Sequence, residues 1–191
     1  MVPKDEVSWR NLKRADEIIV SCEELYSGYE VAKLFLDKDY ELNSNSSDPC
    51  ILPAAIRDLL ATAIVCNVEE DKNLYDSAFL ELLARCGIDV ASLREKHNLE
   101  NCEGQIRFPM TSYRKRMSTI ISNATENGEH DKRLFCKGSF FYILEECSHY
   151  VDAEGMRQRM DDAKKSEIMT AGESYGSEMM RTFGFAYRDL A

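Results

Sequence analysis

Leu134-Phe135-Cys136-Lys137-Gly138-Ser139-Phe140-Phe141-Tyr142-Ile143-Leu144-Glu145-Glu146-Cys147 changes its hydrophobic period midway. Leu134 to Cys136 reads as a strand, whereas Phe140, Phe141, Ile143, Leu144 and Cys147 form a helical apolar stripe with Ser139 at the capping position. Lys137 ends the strand just before Gly138. Two readings of that lysine stand side by side. It can approach an anionic ligand, because glycine removes side-chain bulk and permits tight geometry, or it can cap the edge of a sheet.

Working outward, Ile106 to Phe108 and Met117 to Ile121 also look like strands, and Asn127-Gly128 supplies a turn before Leu134. Met117, Thr119 and Ile121 alternate with Arg116, Ser118 and Ile120, although Ile120 spoils a strictly polar second face. From Gly104 through Ile121 there is no acidic residue, while Arg107, Arg114, Lys115 and Arg116 are all basic. This run is either a solvated basic hairpin or an anion site focused by local charge. Downstream, a charged helix is expected from about Ala163 through Met169, and Phe183, Phe185 and Tyr187 alternate in a last strand.

The first half is more helical. Ile18 to Cys22 reads as a short strand bounded by Ser27-Gly28, and Tyr29 to Leu36 as a mixed segment compatible with helix. Asp37 to Pro49 is a polar surface loop. Pro53 opens a helix whose Ile56, Leu59, Leu60, Ala63 and Ile64 recur at three- and four-residue spacing. After a loop from Asn67 to Tyr75 comes a second amphipathic helix carrying Phe79, Leu80, Leu82, Leu83 and Cys86, with Asp76 at its start and Gly87 as its C-cap. Short strands interrupted by helix pairs predict an α+β domain with a largely antiparallel sheet.

Composition narrows the classes. The 191 residues suit one domain, and the formal charge of -10 opposes an extended nucleic-acid surface. No stretch approaches 18 consecutive apolar residues and the N-terminus lacks a signal-peptide core, so no direct membrane insertion is expected. The seven cysteines show no CxxC spacing and read as reduced small hydrophobes, with no metal site expected. The three histidines, His97, His130 and His149, read as surface imidazoles. Asn45-Ser46-Ser47 and Asn123-Ala124-Thr125 match a glycosylation pattern that matters only in a secreted chain.

Arg114-Lys115-Arg116-Met117-Ser118, then Phe135-Cys136-Lys137-Gly138-Ser139 with Leu144-Glu145-Glu146-Cys147, then Met180-Arg181-Thr182-Phe183-Gly184-Phe185-Ala186-Tyr187-Arg188-Asp189 occur in this order. They resemble the central motifs of the nucleotide-binding domain of P-type cation ATPases, which read roughly F-x-S-x-R-K-x-M-S, F-x-K-G-A-x-E-x-x-L-x-x-C and L-R-x-x-x-x-A-Y-R-D. The resemblance covers about residue 16 to the end, leaving 1–15 as a polar arm or linker remnant. It implies a twisted, largely antiparallel sheet flanked by helix pairs, with ATP bound on the sheet. It further implies that Lys137 lines the adenosine end, Lys115 lies by the nucleotide, Arg181 reaches toward phosphates or ribose, and Phe183 is an apolar contact. Ser112 and Gly138, in the same motifs, belong to the site by the same implication. Asn73-Leu74-Tyr75-Asp76-Ser77-Ala78-Phe79-Leu80 resembles N-P-T-E-x-A-L-L and sets Asp76 near the adenine amino group, one methylene shorter than the family's glutamate.

There are departures. Met110 stands where the family has a phenylalanine for stacking on adenine, and a thioether supplies no planar face. Phe108 and Tyr113 are the rings available to compensate. Phe140 replaces a small residue or proline, and Phe141 a common glutamate. The sequence contains neither Asp-Lys-Thr-Gly-Thr nor the Thr-Gly-Asp and Gly-Asp-Gly-x-Asn motifs of the metal-bound phosphorylation domain. The expectation is therefore an ATP-binding, monomeric fragment without catalytic residues of its own. It would serve the phosphorylation and actuator domains, and Mg2+, of a parent translocase at the cytoplasmic face of a membrane. The parent's ion is expected to be a cation, with calcium suggested by the resemblance to plasma-membrane calcium pumps. The competing expectation is a regulatory or protein-interaction head with a degenerate pocket.

Overall fold

Alternation along the last strand sets the frame. Phe183 and Phe185 pack into the main core with helical residues, while the intervening Gly184 and Ala186 face the other way, toward Ile143. The computed structural model describes residues 15–25, 28–42, 52–68, 74–97, 99, 106–122 and 132–190. In chain order these form β1 (Ala15–Leu25), β2 (Gly28–Phe35), β3 (Asp39–Glu41), α1 (Ala54–Cys66), α2 (Leu74–Arg85), α3 (Val90–Lys96), β4 (Ile106–Phe108) and β5 (Arg116–Ser122). They continue with β6 (Lys132–Ser139), α4 (Phe140–Glu146), β7 (Cys147–Val151), β8 (Arg157–Arg159), α5 (Asp162–Ser177) and β9 (Arg181–Leu190). No helix among the described residues is long and apolar enough to cross a membrane.

The sheet runs β3-β2-β1-β9-β6-β5-β4, every neighbouring pair along this path antiparallel. The parallel pairing lies off it, where β7 joins the start of β1 and carries β8 antiparallel on its other side. Helices α1 and α2 cover one face through Ile56, Leu60, Ile64, Phe79, Leu82 and Leu83. Helices α4 and α5 cover the other through Ile143, Phe140, Leu144, Ile168 and Tyr175. The α+β architecture with a largely antiparallel sheet between helix pairs is the expected one.

Several local expectations change. Gly28–Phe35 is strand β2, not helix: Leu34 belongs to the α1–α2 core while Phe35 packs with α4 and α5. A strand buried on both faces loses its alternation and reads as a mixed apolar run. Within the expected polar loop, Asp39–Glu41 pairs with β2 and Leu42 is buried, while 43–49 lies outside the described residues. Leu74 and Tyr75 belong to α2, so Asp76 lies inside the first turn rather than at its cap. Helix α5 continues to Ser177, beyond the expected Met169, because Gly172 and Gly176 weaken the propensity signal but do not end it. Ser139 occupies the N-cap position of α4, yet its side chain makes no capping hydrogen bond. Helix α3, capped by Asp89 through Ala91 and Ser92, and the β7–β8 hairpin are additions.

Other expectations hold. Gly87 takes φ +68° just beyond α2, the left-handed geometry a C-cap requires. Cys66, Cys86, Cys136 and Cys147 are free thiols in the interior. The histidines are an exception: His97 and His149, expected at the surface, are half-buried. Asn45, Asn123, the Asn127-Gly128 turn, His130 and residues 1–14 of the expected arm lie outside the described residues, whereas Ala15 is already in β1.

Candidate functional site

Helix α2 begins by setting Tyr75 and Asp76 above two neighbouring strands. Lys137, on β6 opposite Phe185 of β9, is 2% exposed, and its ammonium is ion-paired with the Asp76 carboxylate, itself 3% exposed. The same ammonium lies 5.5 Å from the centre of the Phe79 ring. Burial of each charge alone would be costly, so carboxylate and ring together hold the lysine in place. Asp76 also sits where the helix N-terminus favours negative charge.

Around this pair the aromatic side chains interlock. Phe79 meets Phe183 and Phe185 edge-on, at centroid distances of 5.5 and 5.2 Å. Tyr75, one turn before Phe79 on α2, lies 5.3 Å from Phe183. The Arg181 guanidinium, at the exposed start of β9, sits 5.4 Å from the centre of the Tyr75 ring. Asp76, Lys137, Phe183 and Arg181, separated widely in sequence, are thus brought to one region of one sheet face.

Gly138 and Lys115 form the adjoining piece. Lys115 has φ +55°, a left-handed conformation costly for a residue with Cβ, and its carbonyl accepts the Ser139 amide at 2.9 Å. A Cβ on Gly138 would stand 2.6 Å from that carbonyl oxygen and 2.6 Å from Arg116 Cβ. Glycine at 138 is therefore required by the close approach of the Lys115–Arg116 backbone. The Lys115 side chain itself is exposed.

The basic run resolves unevenly. Arg114 is buried and its guanidinium donates to the Pro109 carbonyl at 3.0 Å and to Ser118 Oγ at 3.4 Å, while lying 5.5 Å from the centre of the Phe108 ring. Arg116 is 2% exposed. Arg107 donates to the Cys66 carbonyl at the end of α1. The expectation of a solvated basic hairpin fails for Arg114 and Arg116, both of which are buried, and the Arg114 guanidinium ties the loop to β5 from inside. Met110 is 44% exposed and Ser112 is exposed, both in the loop between β4 and β5. Thr111, not Ser112, closes that loop, its carbonyl accepting from the Lys115 amide and its hydroxyl from the Arg114 amide. Tyr113 is 75% exposed, and Phe108 is engaged by Arg114.

Sequence reasoning missed Tyr75 and Phe79 as members of the site. Their signal was the i, i+4 spacing around Asp76, visible once the helix is known to start at Leu74. Phe140 is accommodated by a notch: a Cβ on Gly172 of α5 would lie 2.1 Å from its ring. Phe141, the next residue of α4, is 44% exposed, its ring centre 5.0 Å from that of Phe140. Burial pushes the Cys66 thiol up to about 12 against the opposing Arg107 charge, and the Cys136 thiol up to about 11 against its Ser118 hydrogen bond, so neither is an activated nucleophile. Among the described residues no group of three or more His, Cys, Asp or Glu is arranged to hold a metal ion.

Comparison with known proteins identifies the family. The sequence model described as P-type ATPase, cytoplasmic domain N, matches residues 55–191. Calcium-transporting ATPase 1 of Saccharomyces cerevisiae is 30% identical over 166 residues, covering 83% of this chain and 17% of the relative. Calcium-transporting ATPase 4, plasma membrane-type, of Arabidopsis thaliana is 30% identical over 115 residues, covering 60% of this chain and 10% of the relative. Calcium-transporting ATPase 1, plasma membrane-type, of Oryza sativa is 30% identical over 82 residues, covering 43% and 8%. The chain therefore spans only 17% or less of the length of these relatives. With the matched region taking in α2, β6 and β9, which carry the charge pair and the aromatic cluster, the chain belongs to the P-type ATPase family through its cytoplasmic N domain.

Proposed function

We propose that this domain binds ATP and positions its terminal phosphate for attack by an aspartate in another domain of a cation-translocating parent. The observation that carries the reading is the convergence of Lys137–Asp76 and Arg181–Tyr75 on one sheet face at the family's motif positions. The adenosine end sits over the Lys137, Asp76 and Phe183 region, where the carboxylate accepts from the adenine amino group. Lys115 and Arg181, both exposed, face the anionic end. Met110, Ser112 and Gly138 complete the site: the first two from the β4–β5 loop, the last by letting the backbone approach closely. Catalysis belongs to the combined domains. Holding the phosphate in reach converts an encounter between molecules into one within the assembly, and the phosphorylation domain supplies the aspartate and Mg2+.

The parent is proposed to transport calcium, the ion named in the relatives' descriptions, at the cytoplasmic face of a membrane. In this reading the nucleotide-binding unit starts with Ala15 of β1, one residue earlier than the expected 16–191, and the residues before it are its connecting arm. A magnesium-free ATP titration of the chain, followed by backbone NMR, tests it. Saturable shifts confined to the surroundings of Lys115, Lys137 and Arg181 are expected. A folded sample with no localised shifts up to millimolar ATP overturns it.

One observation favours a second reading. The Lys137 ammonium is already neutralised by Asp76, and the family's stacking position is held by the exposed, non-planar Met110. A head with this pocket would serve regulation or protein contact. The same titration separates the two, since a binding-silent but folded chain is what the second reading requires.

A further inference from the structure

The two cations that α2 meets are held by different chemistry. Lys137 is paired with a carboxylate and buried, so its charge is cancelled locally. Arg181 is exposed, lies over the Tyr75 ring at 5.4 Å, and carries no ion pair among the described residues. A ring attracts a guanidinium through its quadrupole without consuming the N–H donors that recognise an anion. Tyr75 is itself fixed: it belongs to the first turn of α2, lies 5.3 Å from Phe183, and neighbours the residue that anchors Lys137.

Resting on the ATP-binding reading, we propose that Tyr75 is a positioning residue, holding Arg181 by its ring face so that the guanidinium is presented, with its charge intact, to the phosphate-bearing end of the nucleotide. An arginine side chain loses much rotamer freedom when it is ordered, and a ring that holds it beforehand removes part of that cost from binding. The ring is the operative part; the phenolic hydroxyl is not. Phenylalanine at this position should therefore act like tyrosine, and an aliphatic side chain of similar bulk should not.

The test compares ATP with adenosine, which lacks the phosphates, on the 191-residue chain and its Tyr75→Phe, Tyr75→Leu, Arg181→Met and doubly substituted Tyr75→Leu/Arg181→Met forms. Tyr75→Phe is expected to leave the ATP affinity within about twofold, and Tyr75→Leu to weaken it about two- to fivefold, the size of an exposed cation–π contact. Adenosine affinity should change little in either. The double form should bind ATP no more weakly than Arg181→Met alone, because the ring acts through the guanidinium. A second readout needs no nucleotide: the Arg181 side-chain resonances should carry a ring-current shift in the native and Tyr75→Phe chains and lose it in Tyr75→Leu.

Equal weakening of ATP and adenosine by Tyr75→Leu, multiplying effects in the double form, or an Arg181 resonance unmoved by loss of the ring would each overturn the assignment. If the native chain binds ATP and Tyr75→Leu binds it equally well, only the role of Tyr75 falls. If the folded native chain binds no ATP, the binding reading falls and takes this inference with it.

Discussion

The two faces of the β6–β9 ribbon are built on opposite principles. Toward α1 and α2 it presents Phe135, Lys137, Phe183 and Phe185, large groups whose rings and charge are matched by Phe79 and Asp76. Toward α4 it presents Cys136, Gly138, Gly184 and Ala186, small groups that let neighbouring atoms come close; a Cβ on Gly184 would lie 2.8 Å from Ile143 Cβ. The first face is specified by chemistry that a polar ligand can share. The second is specified mainly by volume, as expected of an interior packed to crystal-like density, alongside the Ser118–Cys136 hydrogen bond.

Breaking the charge pair should be the largest effect. Asp76→Ala leaves the buried Lys137 ammonium without its carboxylate, and unfolding by denaturant should show a loss of about 3–5 kcal/mol. Adding Lys137→Met should recover most of this, since an apolar pair of similar volume replaces a buried ion pair at little cost. A double form as unstable as Asp76→Ala would mean that the lysine is held by something other than the carboxylate.

On the volume-determined side, Gly172→Ala should cost about 1–3 kcal/mol, because the new methyl meets the Phe140 ring. Phe140→Leu in the same chain should relieve the clash, so the two changes together should cost less than the sum of each alone. Strict additivity by thermal or denaturant unfolding would show that Phe140 does not occupy the Gly172 notch.

Lys115 combines a strained backbone with an exposed cation, and it should respond in two directions at once. Lys115→Gly removes the left-handed strain at φ +55° and should leave stability unchanged or raise it by up to about 1 kcal/mol, the gain offset by glycine's greater unfolded-state freedom. The same substitution should weaken ATP binding by removing an exposed cation. Stability and affinity falling together would place Lys115 among the packing residues instead.

The smallest effects concern proton chemistry. With the Cys136 thiol pushed up to about 11 and Cys66 to about 12 by burial, an aromatic disulfide reagent at pH 8 should label neither in the native chain and both after denaturation, as read by peptide mass spectrometry. His97 is held below its ordinary value by burial first and by Lys96 second. The unfolded chain therefore takes up this proton at a higher pH than the folded one. Stability is lost as pH falls through the unfolded value of about 6.5 toward the lower folded one. His97→Gln should flatten that part of the stability profile.

What was legible in the sequence follows from how each signal arises. Helix α1 announced itself through Ile56, Leu60 and Ile64, and β9 through Phe183 and Phe185, because each keeps its own period along the chain. Strand β2 did not, since Leu34 and Phe35 are buried on opposite faces and the alternation vanishes. The motif positions of Lys115, Lys137 and Arg181 were likewise visible in the sequence. Their environments were not. Whether a cation is neutralised by a carboxylate 61 residues away or kept charged on a tyrosine ring depends on which strands lie beneath the first turn of α2. The burial of Arg114 and Arg116, in a run that composition alone leaves looking solvated, is a matter of which side of β5 is covered. The sequence by itself determined the antiparallel α+β class and the residues that carry charge, because these are local in pattern and composition. Only the tertiary structure decided which charges are cancelled, which glycines are required and what holds Arg181, because those depend on contacts between segments far apart in the chain and on the dielectric they create.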